Sequence, residues 1–314
     1  MKDLLAVIML LGIYGLLSAS FFVVMDAVDV AFTEASVGAG ISTLLMLVTI
    51  SMTGRSEHPV RHKPLLALAV VIFTGGLLIY GTLDMPYFGL AEAPIHQHVA
   101  PRYINDSMQE IGVPNIVTSV LASYRAFDTF GEVVVIFTAG IGVLALLSVA
   151  RRRDDVTKID SLNMSMHEKY LILRIVTKML IPFILLFAFY VQFHGDYGPG
   201  GGFQAGVIFA AAIFLYTMLF GMSTARRVIN QSLIQLLAAI GVLLYGSVGV
   251  VSLLKGRNFF DYSVLATDPV AGQHLGILLI ELGVGITVAS IMILIFFNFT
   301  GRIEDQQNKE SQDL

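Results

Sequence analysis

Residues 273–299 read QHLGILLIELGVGITVASIMILIFFNF. Across this stretch only His274 and Glu281 can carry charge, and the apolar residues run on without the period-two alternation of a half-buried strand. About 20 such residues cross about 30 Å of hydrocarbon as a helix, so the stretch predicts a membrane span. Comparable runs occupy 4–25, 30–52, 65–83, 116–149, 171–193, 203–222 and 230–252. The predicted fold class is therefore all-α, a polytopic membrane protein with about eight transmembrane helices. Because the runs are continuous, and not alternating stretches of about ten residues, they argue against an outer-membrane barrel.

Composition agrees. The 314 residues are 56% hydrophobic and 13% charged, with a mean hydropathy of +0.78. A soluble domain holds only about 45–50% apolar residues. No cysteine is present, which excludes disulfides, thiolate metal sites and cysteine-held iron–sulfur clusters. The histidines lack metal-ligand spacing and no nucleophile–base pattern is evident, so no cofactor, no metal and no enzymatic chemistry are expected. A net charge of -4 gives no sign of nucleic-acid binding. The first run has no small-residue cleavage site before Asp26 and Asp29, which reads as a retained helix.

Lys and Arg are unevenly distributed among the loops. With eight spans, Lys2, Arg55, Arg61, Lys63, Arg151, Arg152, Arg153, Lys158, Lys169, Arg226, Arg227, Arg302 and Lys309 share one face, against Arg102, Lys255 and Arg257 on the other. That asymmetry places both termini in the cytoplasm of a prokaryotic cell membrane.

Charge within a span is expensive, about 2.5–3.5 kcal/mol at the bilayer centre, and so marks a partner or a function. The fourth run carries Arg125, Asp128 and Glu132. Spacings of three and four put them on one helix face. Arg125 can pair with Asp128, either to lock the helix against a neighbour or to leave Glu132 free for a proton or cation. Asp26, Asp29 and Glu34 open the second run. Asp29 is accounted for by the helix dipole, whereas Glu34 lies beyond the first turn beside small residues that admit a close helix, making it an ion-path candidate. Lys178 either snorkels to the surface or serves inside as a relay. His274 and Glu281, seven apart on one face, form a candidate proton route. The loop running from His194 to Gln204 contains five glycines, including Gly195, Gly200, Gly201 and Gly202, besides Pro199, and specifies a tight, unusual backbone.

Three segments carry a family resemblance. Residues 26–40, DAVDVAFTEASVGAG, resemble the C-terminal region of MrpA, which also occurs as the separate MbhD protein. The stretch from Asn115 through Tyr124-Arg125-Ala126-Phe127-Asp128-Thr129-Phe130-Gly131-Glu132 resembles the next, MbhE-like piece of MrpA. Residues from about 170 to 299, with His194-Gly195 and Pro199-Gly200-Gly201-Gly202-Phe203-Gln204, look like the four-helix MrpB (MnhB) family, although Ala205 stands where that family often has glycine. The implied organisation is an MbhD-like region at 1–60, an MbhE-like region at 61–155 with an external loop at 84–114, an MnhB-like domain at 165–300 and a charged tail at 301–314.

This resemblance implies an accessory subunit of an Mrp-type Na+/H+ antiporter, embedded in the lipid bilayer. Its partners would be large antiporter-like subunits and small cation-handling subunits, its ions Na+ and H+. Glu34, Asp128 and Glu132 become the favoured ion-path carboxylates. The large antiporter-like unit of a complete MrpA is absent from the sequence. Two alternatives are the same module in the ion-translocating arm of a membrane-bound hydrogenase-like or other Mrp-like energy-coupling complex, and a scaffold that conducts nothing.

Overall fold

The computed structural model describes residues 3–57, 64–87, 89–147 and 171–312, and these are helical apart from turns, short loops and one isolated bridge. Eight of the helices are long and apolar enough to span a membrane. Helix α1 is Leu4–Val24. Helix α2 is continuous in path but changes register, with α-helical Val28–Glu34, π-helical Ala35–Ser42 and α-helical Thr43–Thr53. Helix α3 is Pro64–Thr82. Helix α4 likewise joins Ile116–Ser119, a π segment Val120–Tyr124 and Ala126–Leu147. Helices α5 to α8 are Leu171–His194, Gly202–Phe220, Gln231–Leu254 and Pro269–Gln312.

Helix α8 is the centre of the bundle. Ile277, Ile280, Val288, Ile291, Leu294 and Phe297 are all buried, as expected of a helix apolar on every side. Small residues let its neighbours approach. Gly202 and Gly206 of α6 meet the α8 backbone around Gly285, while Gly241 of α7 meets Gly283 and Thr287. On a third side Gly140 of α4 faces Ile291. Helix α8 also runs past the span predicted at 273–299 and continues through the charged segment to Gln312.

Capping and pairing fix the ends. Asp3 accepts the Leu5 N–H at 3.0 Å, and its carboxylate is bound by Arg55 at 2.9–3.0 Å, so the start of α1 is tied to the end of α2. Asn115 caps α4 by accepting the Val117 N–H at 3.0 Å. Between α3 and α4 the predicted external loop folds into Pro94–Gln97, Val99–Asn105 and Ser107–Glu110. Arg102 binds Glu110 at 3.1 Å and Tyr124 donates to the same carboxylate. Tyr124 and Arg102 together hold Glu110 below the usual carboxylate range.

The starts of α2, α4, α6 and α8 and the ends of α5 and α7 gather at one end of the bundle. Asn115 N–H donates to the Asp196 carbonyl at 3.0 Å there, and Tyr262, following α7, donates to the Ala122 carbonyl at 3.0 Å. Arg55 lies at the opposite end, as do Arg174 and Arg226, the latter donating to the Phe297 carbonyl at 3.3 Å. The start of α1 and the Gly301 region of α8 therefore share an end. Arg61, Lys63, Arg151, Arg152, Arg153, Lys158 and Lys169, on which the orientation largely rests, lie outside the described residues, as do the predicted boundaries at 60/61, 155 and 165.

Candidate functional site

At the end where α2, α4, α6 and α8 begin lies a cavity of about 310 Å³. Its walls include Asp29 and Thr33 of α2, Thr118, Thr129 and Glu132 of α4, Gly200 to Gln204, and Glu281 of α8. Three carboxylates thus meet a single space. No Lys or Arg is among the described residues lining it.

The glycine loop builds the floor. The Val191 carbonyl accepts the Gly201 N–H at 3.0 Å, and the His194 carbonyl accepts the N–H groups of Tyr197 and Gly198 at 3.0 and 3.1 Å. Gly201 then takes φ +116°, open to glycine and strained for other residues. Its path carries the chain beneath Glu281: β-carbons at Gly195 and Gly201 would stand 3.1 and 3.0 Å from that carboxylate. The Gly202 N–H donates to Glu281, so the α6 N-terminus points at an acid, the favoured arrangement for the helix dipole.

Other segments clamp the loop in place. The Asn115 amide donates to the carbonyls of Gly195 and Gly198, both at 3.1 Å, and the Thr118 hydroxyl to Gly195 at 2.7 Å. Asp29 accepts from Gly200 N–H at 3.3 Å and from Asn115 at 3.4 Å. Gln204, buried, donates to Thr33 at 2.9 Å. Asp29 is therefore a wall of the cavity as well as a favourable charge near a helix start. Thr33, Thr118, Thr129 and Gln204 all lie inside the stretches that carry the family resemblance, but none of them stands among the candidate site residues. Of these, Gln204 carried the plainest signal, a polar amide inside an otherwise apolar run.

The other residues singled out by sequence are dispersed. Glu34 folds along its own helix into the room left by Gly38 and Gly15, between α2 and α1, and does not line the cavity. Asp128 pairs with Arg125 at 2.6 Å, as the spacing of three predicts, but the pair lies outside the cavity with side chains 56% and 52% exposed. Lys178 is also exposed, its Nζ 5.4 Å above the Phe220 ring, where Arg174 stands at 5.2 Å. His274 is 3.5 Å from Asp196 of the glycine loop. The His194 ring stacks on Tyr190 at 4.8 Å, and Pro199 is exposed.

Exposure revises the weight of the Arg125–Asp128 pair within this chain. The pair joins two residues three apart on one helix and stands on an outer face of the chain. Arg125→Ala is therefore expected to leave the thermal melt of the detergent-purified chain close to that of the unsubstituted chain.

Chemically, the cavity offers carboxylate, hydroxyl and amide oxygens, the donor set preferred by hard cations, and the same carboxylates can exchange protons. When ionised, Asp29, Glu132 and Glu281 together carry more negative charge than the lining can neutralise, since no Lys or Arg is among its described residues.

Residues 172–294 match a domain described as related to the MnhB subunit of a Na+/H+ antiporter. Residues 1–55 match MbhD and residues 66–163 match MbhE, the D and E subunits of MBH. The antiporter protein mnhB2 of Staphylococcus aureus (strain Newman) is 31% identical over 139 residues, 43% of this chain and 98% of that protein. A Rhizobium meliloti (strain 1021) protein, named as the A/B subunit of a probable K(+)/H(+) antiporter, is 27% identical over 93% of this chain, which spans 32% of its length. Among solved structures, a chain of the Mrp complex from Dietzia sp. DQ12-45-1b superposes with a TM-score of 0.72 at 24% identity, covering 95% of this chain and 32% of its own. A chain of the membrane-bound sulfane sulfur reductase, an archaeal respiratory membrane complex, gives 0.55 at 28% identity, covering 76% of this chain and 98% of its own. These matches place MbhD, MbhE and MnhB domains in order along one multi-pass membrane chain, and the chain belongs to the MnhB family of antiporter subunits.

Proposed function

We propose that this chain is an accessory subunit of a multisubunit monovalent cation/proton antiporter of the cell membrane, and that its cavity lies on the ion path. The observation that carries the reading is the meeting of Asp29, Glu132 and Glu281 around one space whose described lining holds no basic residue. Uncompensated carboxylates within a span are costly unless protons or cations balance them. A site that alternates between those two occupants couples their movements.

Sodium is the favoured cation, after the antiporter named in the MnhB domain description, and potassium follows from the name of the Rhizobium relative. The partners would be large antiporter-like and small cation-handling subunits, with both termini cytoplasmic and the glycine loop at the external side. His274 and Asp196 stand at that side and offer protonatable groups between the surface and Glu281. The chain itself performs no catalysis in this reading.

The experiment uses everted vesicles from cells that express the whole gene cluster, with proton movement followed on addition of NaCl or KCl. Glu132→Gln is expected to slow exchange at least about tenfold, equivalent to about 1.4 kcal/mol, in a complex recovered intact by native electrophoresis. Parallel loss of exchange and assembly, or loss of neither, supports a scaffold instead. The likeness to the sulfane sulfur reductase favours a second reading, in which the module serves the ion-translocating arm of a respiratory complex. Cysteine-rich partner subunits copurifying with the chain would support that reading.

A further inference from the structure

We propose that the face of α4 bearing Arg125, Asp128 and Glu132 is the docking surface for a spanning helix of another subunit. The partner helix would present hydrogen-bond donors or a basic side chain at the level of these carboxylates.

The level follows from Tyr245 of α7, whose hydroxyl donates to the Ala126 carbonyl at 2.8 Å. Tyr245 precedes the end of α7 at Leu254 by nine residues, about 13 Å at 1.5 Å per residue. Asp128 and Glu132 follow Ala126 along α4, farther from the glycine-loop end. Yet Arg125 and Asp128 are more than half exposed on this chain, and Glu132 is exposed while also lining the cavity. Apolar neighbours along the same helix are equally bare, Phe127 at 68% and Val135 at 67%. Acyl chains offer nothing to a carboxylate, so this mixed face calls for protein.

Charge selects the kind of partner. Arg125 balances Asp128, and Glu132 leaves the face with one excess negative charge. A second copy would bring the same excess and repel. Helix α3 of this chain has no buried residue among those described, but its polar side chains are only the hydroxyls of Thr74, Tyr80 and Thr82, and it carries no charged residue to complement the face. A helix from a different subunit that supplies a donor or a cation fits best, and on the ion-path reading it also closes the cavity beside Glu132.

Because the sequence contains no cysteine, single-cysteine variants report one position each. Phe127→Cys and Val135→Cys, labelled with benzophenone maleimide in membranes holding the whole complex, are expected on illumination to yield a band shifted by the mass of one other subunit. Peptide mapping should place the adduct on a spanning segment with a polar or basic residue. Adducts only with lipid, with a second copy of this chain or with residues 64–82 would overturn the proposal. Cross-linking reports occupancy of the face whether or not Glu132 conducts, and vesicle exchange reports conduction. Failure of one therefore remains distinguishable from failure of the other.

Discussion

Replacing Gly202 with alanine is expected to remove the protein from the membrane. A β-carbon there would fall on the Glu281 carbonyl oxygen and stand 2.9 Å from the Gly285 nitrogen, so both obstacles are backbone. No rotamer change relieves such a clash; α6 and α8 would have to separate. Overpacking that side chains can absorb costs about 1–3 kcal/mol. A backbone collision along the central helix should reach or exceed that range, against a total stability of about 5–15 kcal/mol for typical folded proteins. Separation would also withdraw the Gly202 N–H from Glu281. Immunoblots of membranes, with native electrophoresis of the complex, should show near-complete loss. Gly142→Ala provides the comparison, since its added methyl meets nothing within 4 Å and should leave abundance unchanged.

Glu281→Gln should have the opposite profile, an assembled complex without exchange. Glutamine preserves the shape of the side chain and retains an oxygen to accept the Gly202 N–H, so the glycine loop and the start of α6 keep their places. It removes the charge that a proton or cation would balance. Asp29 and Asp196 stand near enough to act electrostatically on Glu281. Exchange is expected to fall at least about a hundredfold, or about 2.7 kcal/mol. Glu281→Asp, which keeps the charge on a shorter arm, should recover part of it.

Much of this architecture is legible in the sequence because the bilayer imposes a simple rule: runs of about 20 apolar residues become helices. The run at 273–299 is plain for that reason, and the pairing of Arg125 with Asp128 follows from helical spacing alone. The π segments at Ala35–Ser42 and Val120–Tyr124 are different. They are local choices of backbone register made while packing against α1, α6 and α8, and the small residues of the first show only that something approaches closely.

The cavity was legible in fragments. Glu132 and Glu281 stand out as acids inside spans, but their meeting depends on contacts between helices far apart in the chain. Asp29 was explained sufficiently by its position near a helix start, which concealed its hydrogen bond to Gly200. The glycine loop read as a tight turn, and its position under Glu281 required the fold. His274 and Glu281 share a face, yet His274 instead meets Asp196, a residue of the loop brought in by α5.

The central claim is that ions pass through the space shared by Asp29, Glu132 and Glu281. Its most direct test is the initial rate of Na+- or K+-induced proton movement in everted vesicles carrying Glu281→Gln, normalised to intact complex on native gels. Exchange reduced to background in a fully assembled complex is the predicted result, whereas exchange at the wild-type rate in that same complex would contradict it.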